Sequence, residues 1–148
     1  GRRRPPFLYP SPMKAVIAKQ FSVFMPNKPG SLARMAKLFS DHGVNIVGIA
    51  SEVRDDSGVV RLTVDAERDV SHLLTQSGFT CVETAVLSVE VPNKPGALHQ
   101  LAAALATGKI NITTVYGTVL DGGIARIIFA VENPKKAVAL LEKIRFAD

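Results

Sequence analysis

The pentapeptide Pro-Asn-Lys-Pro-Gly at residues 26–30 occurs again at residues 92–96, a spacing of 66 residues in a chain of 148. Each copy follows an apolar, alternating stretch typical of a strand and precedes a stretch with the spacing of an amphipathic helix. An internal repeat of this length predicts two small modules of the same design. Units of about 65 residues are marginally stable alone and gain from a shared core.

The residues after each pentapeptide predict the same succession of elements. Apolar residues recur at helical spacing at Leu32, Met35, Ala36 and Phe39, and again at Leu98, Leu101, Ala102 and Leu105. Ser31 is expected to cap the first helix and Gly43 to end it. Two strands joined by a turn follow in each repeat, and then a short helix. The expected fold class is α+β, with two ferredoxin-like βαββαβ modules, antiparallel sheets, and the helices on one face.

The predicted domains are a flexible extension at residues 1–12, a first module at residues 13–84 and a second at residues 85–148. After the last predicted helix too few residues remain for a closing strand. At the offset of 66, the start of the first strand matches the stretch that closes the first module. We therefore expect residues 13–19 to close the second sheet, so that the modules interlock.

Composition restricts the class of protein. The net charge is +5, and Arg2, Arg3 and Arg4 supply three of the 18 cationic residues, so the basicity belongs mainly to a tail and gives little support to a nucleic-acid surface. No apolar run approaches the roughly 18 residues of a membrane span. Cys81 is the only cysteine, so an intrachain disulfide is impossible. We expect a cytoplasmic protein that binds neither nucleic acid nor membrane.

The repeated loop and the helix start after it are the candidate binding site. Helix N-termini present unpaired N–H groups and a partial positive charge, which suit a carboxylate or a phosphate. The glycine allows a ligand to approach the backbone, and the asparagine can donate and accept hydrogen bonds. The candidate ligand-binding residues are Asn27, Lys28, Pro29, Gly30, Ser31 and Leu32 in the first module, and Asn93, Lys94, Pro95, Gly96, Ala97 and Leu98 in the second.

A second repeated feature is an Asn-Ile pair at the start of the following strand. Asn45 and Ile46 recur as Asn111 and Ile112. From the residues alone, two interpretations stay open: a binding site, or a tight turn and a cap with no ligand.

These motifs together resemble the ACT domain. The resemblance consists of an apolar strand, Asn-Lys-Pro-Gly-x-Leu, an amphipathic helix and then Val-Asn-Ile or Ile-Asn-Ile, and it covers nearly everything from Met13 to Asp148. Two copies with no catalytic domain resemble the small tandem ACT proteins. The resemblance implies a regulatory protein that is not an enzyme, needs no cofactor or metal, and binds a small effector, usually an amino acid. It also implies a homodimer, with ligand contacts in the loop after the first strand and the Asn-Ile pairs lining the same interface.

Other functions of this fold fit less well. An acylphosphatase-like enzyme needs an Arg in the first loop to hold phosphate, and the loops offer only lysines. A metal carrier needs a Cys pair there, and an RNA-recognition module needs aromatic residues on its central strands. Arg61 and Arg126 recur on matching strands and are expected to face solvent. The remaining alternative is a module that binds a protein partner and no small ligand.

Overall fold

The computed structural model describes residues 14–65 and 68–146, so the extension expected at residues 1–12 lies outside the described residues, as does Met13. The described chain forms six strands and four helices that repeat the βαββα order twice. The elements are β1 (Lys14–Pro26), α1 (Ser31–Asp41), β2 (Asn45–Arg54), β3 (Ser57–Asp65), α2 (Val70–Gln76), β4 (Thr80–Pro92), α3 (Ala97–Thr107), β5 (Ile112–Leu120), β6 (Ile124–Val131) and α4 (Pro134–Leu141).

The chain divides into two compact units. The first module comprises residues 18–85, and the second comprises residues 14–17 together with residues 86–146 of the described chain. The long strands β1 and β4 each contribute residues to both modules. Ala15 packs against the core of the second module, so the start of β1 contributes to that module. This agrees with the interlocking predicted from the offset of 66, although Ala18 and Lys19 belong to the first module.

In the first module the strand order is β2-β3-β1-β4 and every registered pair is antiparallel. Both helices pack on the same buried strand residues, so they lie on one face of the sheet. The core consists of residues from β1, α1, β3 and α2 that recur at strand or helix spacing, among them Phe21, Val23, Met35, Phe39, Leu62, Val70 and Leu74. Burial of each such side chain stabilises the fold by about 1.5–3 kcal/mol.

The second module repeats this arrangement with the strand order β1-β4-β6-β5. Its core is built from β4, α3, β6 and α4, with Leu87, Val89, Leu101, Leu105, Phe129, Ala137 and Leu141 buried. The α+β, ferredoxin-like architecture predicted from the sequence is confirmed. Within the described residues, none of the helices has the length and apolar character that spanning a membrane requires.

The start of each long helix differs from the prediction. Ser31 was expected to be the N-cap, but it is the first helical residue and Gly30 occupies the cap position at φ 91°. Gly96 does the same before α3 at φ 92°. This left-handed conformation strains a residue with a Cβ, and glycine adopts it at little cost. The prediction of a serine cap was wrong because it weighed the side chain and not the backbone conformation of the turn.

A β-bulge follows the Asn-Ile pair in both modules. The register shifts between Ile46 and Gly48 in β2, and between Ile112 and Thr114 in β5. An extra residue reverses the alternation of side chains along a strand. As a result Ile46 points to the same face as Ile49, the face that carries the helices.

Candidate functional site

Each repeated loop is tied to the hairpin turn of its own module. The backbone N–H of Asn27 donates to the carbonyl oxygen of Asp56 at 2.9 Å, and that of Asn93 donates to Gly123 at 2.8 Å. The Asn27 side-chain amide lies 3.5 Å from the carbonyl oxygen of Asp55, a long contact. The loop therefore has a fixed position beside the β2–β3 turn, and beside the β5–β6 turn in the second module.

Among the described residues, no side chain caps the start of α1 or of α3 with a hydrogen bond. The Ser31 N–H donates to the Lys28 carbonyl oxygen at 3.4 Å, and the Ala97 N–H donates to Lys94 at 3.3 Å. These bonds are long and weak, but they occupy two of the backbone N–H groups that were predicted to bind an anion. The site thus depends on the remaining first-turn N–H groups and on the partial positive charge of the helix end.

A small cavity of about 160 Å³ lies beside the loop of the first module. From the loop and α1 it is lined by Asn27, Lys28, Ser31 and Leu32, and from β2 by Ile49, Ser51, Glu52 and Val53, with Met25, Pro26, Gly58, Val59 and Val60 completing the wall. Pockets for drug-sized compounds measure roughly 300–1,000 Å³. A cavity of this size suits a smaller molecule.

The cross-strand register shows which β2 side chains face this cavity. Ile49 lies opposite Leu62 and Ser51 lies opposite Val60, and both β3 residues are buried on the helix-bearing face. Directly opposed residues of an antiparallel pair point to the same face. Ile49, Ser51 and Val53 therefore project towards the cavity, whereas Glu52 points to the other face of the sheet.

The apolar side chains around the cavity are half exposed, and the second module repeats them. Leu32, Ile49 and Val53 are 51%, 48% and 55% exposed. The residues 66 positions later are Leu98, Val115 and Val119, at 51%, 51% and 63%. Single exposed apolar residues are ordinary on a protein surface. A group of them that recurs beside the loop of each module instead indicates a surface for binding.

Most of the loop and helix-start residues predicted from the sequence come together at this place. Asn27, Lys28, Ser31 and Leu32 line the cavity, whereas Pro29 and Gly30 shape the turn beside it. In the second module the matching loop is less exposed, with Ala97 4% exposed and Lys94 half-buried.

The Asn-Ile pairs do not join the loop. Asn45 lies opposite Asp65, at the far end of β2 from the cavity. Ile46 and Ile112 pack against the cores of their modules, and Asn111 immediately precedes β5. Core packing and the bulge are enough to account for the repeated Asn-Ile pair. Ligand binding by these four residues stays a prediction.

Sequence reasoning missed the contribution of β2. The signal was the period-two spacing of Ile49, Ser51 and Val53, which places them on one face of a strand. That this face is the helix side follows only from the bulge at Val47.

A larger concavity of about 490 Å³ lies on the opposite, open face of the first module's sheet. Its lining includes Phe24, Glu52, Arg54 and Arg61. At the offset of 66 the first three of these become Glu90, Thr118 and Leu120. The repeat therefore does not reproduce this surface, in contrast to the exposed apolar side chains beside the loop.

Comparison with known families gives one match that covers most of the chain. A family model described as an ACT domain pair matches residues 16–148. The chain belongs to the ACT domain family. A search of curated proteins finds no match to this ACT domain pair.

Solved structures support the same fold. Protein BT0572 from Bacteroides thetaiotaomicron is 25% identical, with a TM-score of 0.80 over 87% of this chain and 89% of that one. The regulatory subunit of aspartate kinase from Thermus thermophilus is 14% identical, with a TM-score of 0.66 over 88% of this chain and 95% of that chain. The aspartate kinase of Clostridium acetobutylicum is 18% identical, with a TM-score of 0.51 over 86% of this ACT domain pair and 32% of the kinase.

Proposed function

We propose that this ACT domain pair is a non-catalytic regulatory protein that binds a small amino acid beside the loop of each module. The observation that carries the proposal is the group of half-exposed apolar side chains that recurs at the same positions around both loops. The regulatory subunit of aspartate kinase shares the fold, and its regulatory role supports the proposal by analogy only.

The chemistry of the site fits the two ends of an α-amino acid. The uncapped start of α1 attracts a carboxylate through the N–H groups of its first turn. The Asn27 side-chain oxygen can accept a hydrogen bond from an ammonium group. Leu32, Ile49 and Val53 supply apolar area for the ligand side chain. The volume of about 160 Å³ favours a single small amino acid over a nucleotide or a peptide.

We propose further that the protein is a homodimer and that a second copy covers this surface. β2 and β5 are the outer strands of their modules, and an outer strand carries unpaired backbone groups that can pair with another chain. The apolar residues beside them remain about half exposed. A second copy that pairs with one of these outer strands would bury the unpaired backbone groups of the strand and the apolar residues beside it.

We propose that the protein is located in the cytoplasm and works without a cofactor. Cys81 is a free cysteine, which suits a reducing compartment. Within residues 14–65 and 68–146, the His, Cys, Asp and Glu side chains form no group suited to holding a metal ion.

Thermal melting of the purified protein with each of the twenty amino acids at millimolar concentration tests the proposal. A ligand present at about 100 times its dissociation constant stabilises the folded state by about 2.7 kcal/mol, which raises the melting temperature by several degrees. We expect a saturable shift with one amino acid or a few related ones. Leu32→Glu and Leu98→Glu together should abolish the shift, because each replaces apolar area for the ligand side chain with a carboxylate, which also repels the nearby ligand carboxylate.

A flat panel would refute amino-acid binding and favour the remaining alternative, a module that binds a protein partner through the same exposed apolar residues. Analytical ultracentrifugation over a range of concentrations tests the dimer. A protein that stays monomeric at about 100 times the concentration used for thermal melting would rule out the second copy as the cover of the site.

A further inference from the structure

Two serines beside the first loop are replaced in the second module by residues without a hydroxyl group. At the offset of 66, Ser31 corresponds to Ala97 and Ser51 corresponds to Gly117. We infer that the two sites select different ligands. The first prefers a small amino acid whose side chain carries a hydroxyl group, and the second prefers a small aliphatic one. This inference rests on the proposed function.

Both serines of the first site border the cavity that would hold the ligand. Ser31 and Ser51 line the same cavity, one from the start of α1 and the other from β2. Ser51 points to the cavity side because it lies opposite the buried Val60. In the described part of the chain, neither hydroxyl group has a hydrogen-bond partner in the protein. Both are thus available to a polar ligand.

The second site offers no hydroxyl group at these two positions. Ala97 is 4% exposed, so its methyl group belongs to the core of the module. At Gly117 a Cβ atom would lie 2.9 Å from the backbone oxygen of Arg126, closer than real Cβ atoms approach. A backbone atom cannot move aside as a flexible side chain can. The register of β5 against β6 therefore excludes a serine where the first module has Ser51.

Among the side chains that β2 and β5 direct towards the loop, the aliphatic positions are matched, and the serine position is the one that changes in polarity. Ile49 and Val115 are both aliphatic, and Val53 and Val119 are identical. A ligand hydroxyl group that reaches Ser31 or Ser51 gains a hydrogen bond. In the second site the same group would lose its water without finding either of these partners. Because neutral hydrogen bonds are individually modest, we expect a preference of about 3- to 10-fold at the first site.

Isothermal titration of two single-site variants measures this preference. Leu98→Glu leaves the first site intact, and Leu32→Glu leaves the second; both leucines are half exposed, so the fold tolerates the change. The ligands are matched pairs: L-serine against L-alanine, and L-threonine against L-valine. We expect the Leu98→Glu protein to bind the hydroxyl-bearing member of each pair about 3- to 10-fold more tightly. The Leu32→Glu protein should bind L-valine at least as tightly as L-threonine.

Serine variants made in the Leu98→Glu background then assign the preference to its residues. Ser51→Ala and Ser31→Ala together should reduce it to about one. Ser22→Ala is the control, since it removes a hydroxyl group from the same module on the opposite face of the sheet, where Ser22 lines the larger concavity. Equal selectivity at the two sites, or a preference that survives both serine replacements, would overturn the inference and leave amino-acid binding intact. A wild-type protein that binds none of the four ligands or any other amino acid would remove the proposed function itself.

Discussion

Arg61 on β3 and Glu52 on β2 form an ion pair, with 2.8 Å between Arg61 Nη1 and Glu52 Oε1. In the second module Arg126 on β6 also pairs with a glutamate, but that residue is Glu90 on β4, and Arg126 stands at the register position of Val59. The position that matches Glu52 holds Thr118 there. Both arginine side chains are about three-quarters buried, and a charge at that depth needs a partner. Each module therefore balances an arginine of an inner strand with a glutamate, although the two arginines occupy different register positions and the two acids lie on different strands.

The stability of the first module should depend on pH through this pair. Hydrogen bonding and the charge of Arg61 lower the pKa of Glu52 below its ordinary value of 4.5. A carboxyl group whose pKa is lowered in the folded state stabilises the protein above its unfolded pKa, and this contribution is lost as the pH falls through the folded value. Replacing Glu52 by Gln should therefore flatten the loss of stability between about pH 5 and pH 3, measured by urea unfolding.

Arg61→Met is the companion variant, since it removes the charged partner and keeps an unbranched side chain. It should flatten the same part of the pH profile, and the double variant should add no further change. An Arg61→Met protein with the full wild-type acid dependence would show that another group lowers the pKa of Glu52.

The glycines at the two helix starts should each be worth about 1–2 kcal/mol of stability, the cost of placing an L-residue in the left-handed region. Gly30 and Gly96 have φ of 91° and 92°, and no atom of the described part of the chain lies within 4 Å of a Cβ built on either. The penalty is therefore conformational and not steric. Chemical unfolding of Gly30→Ala and Gly96→Ala measures it. Gly58→Ala is the control, because its contacts are ordinary and its φ is not positive; a similar loss there would contradict the explanation.

Periodicity was enough to predict most of the elements. The i, i+3, i+7 spacing of Leu32, Met35 and Phe39 places α1 correctly, because the two buried residues Met35 and Phe39 must share one face. The offset of 66 also indicated that the start of β1 serves the second module. Such predictions succeed where a buried face imposes a regular pattern on the sequence.

The site was harder to predict because it depends on backbone geometry. A bulge leaves no distinct residue pattern, so the face of Ile49 and Ser51 could not be read from the alternation of β2. The arginines were expected to face solvent. Each is instead largely buried beside a carboxylate, and in the second module that carboxylate stands in register on a neighbouring strand. An ion pair between neighbouring strands can be predicted only when the order of the strands in the sheet is known.

A charge at Ala15 should destabilise the second module. Ala15 is partly buried against its core, and a carboxylate placed there would lose water without a partner. We expect Ala15→Asp to cost about 1–3 kcal/mol in chemical unfolding. Val16→Asp is the matched control, because Val16 is 44% exposed on the other side of the strand. Equal effects of the two substitutions would contradict the assignment of residues 14–17 to the second module.

Gly117→Ala should destabilise the protein although the residue is exposed. Its Cβ would meet the Arg126 backbone oxygen at 2.9 Å, so β5 must shift away from β6. Overpacking against a rigid neighbour typically costs about 1–3 kcal/mol. Ser51→Ala changes the matching position of the first module to the same residue, and should stay within about 0.5 kcal/mol of wild type. Chemical unfolding of the two variants gives the comparison, and a Gly117→Ala protein as stable as wild type would mean that the second site has room for a serine after all.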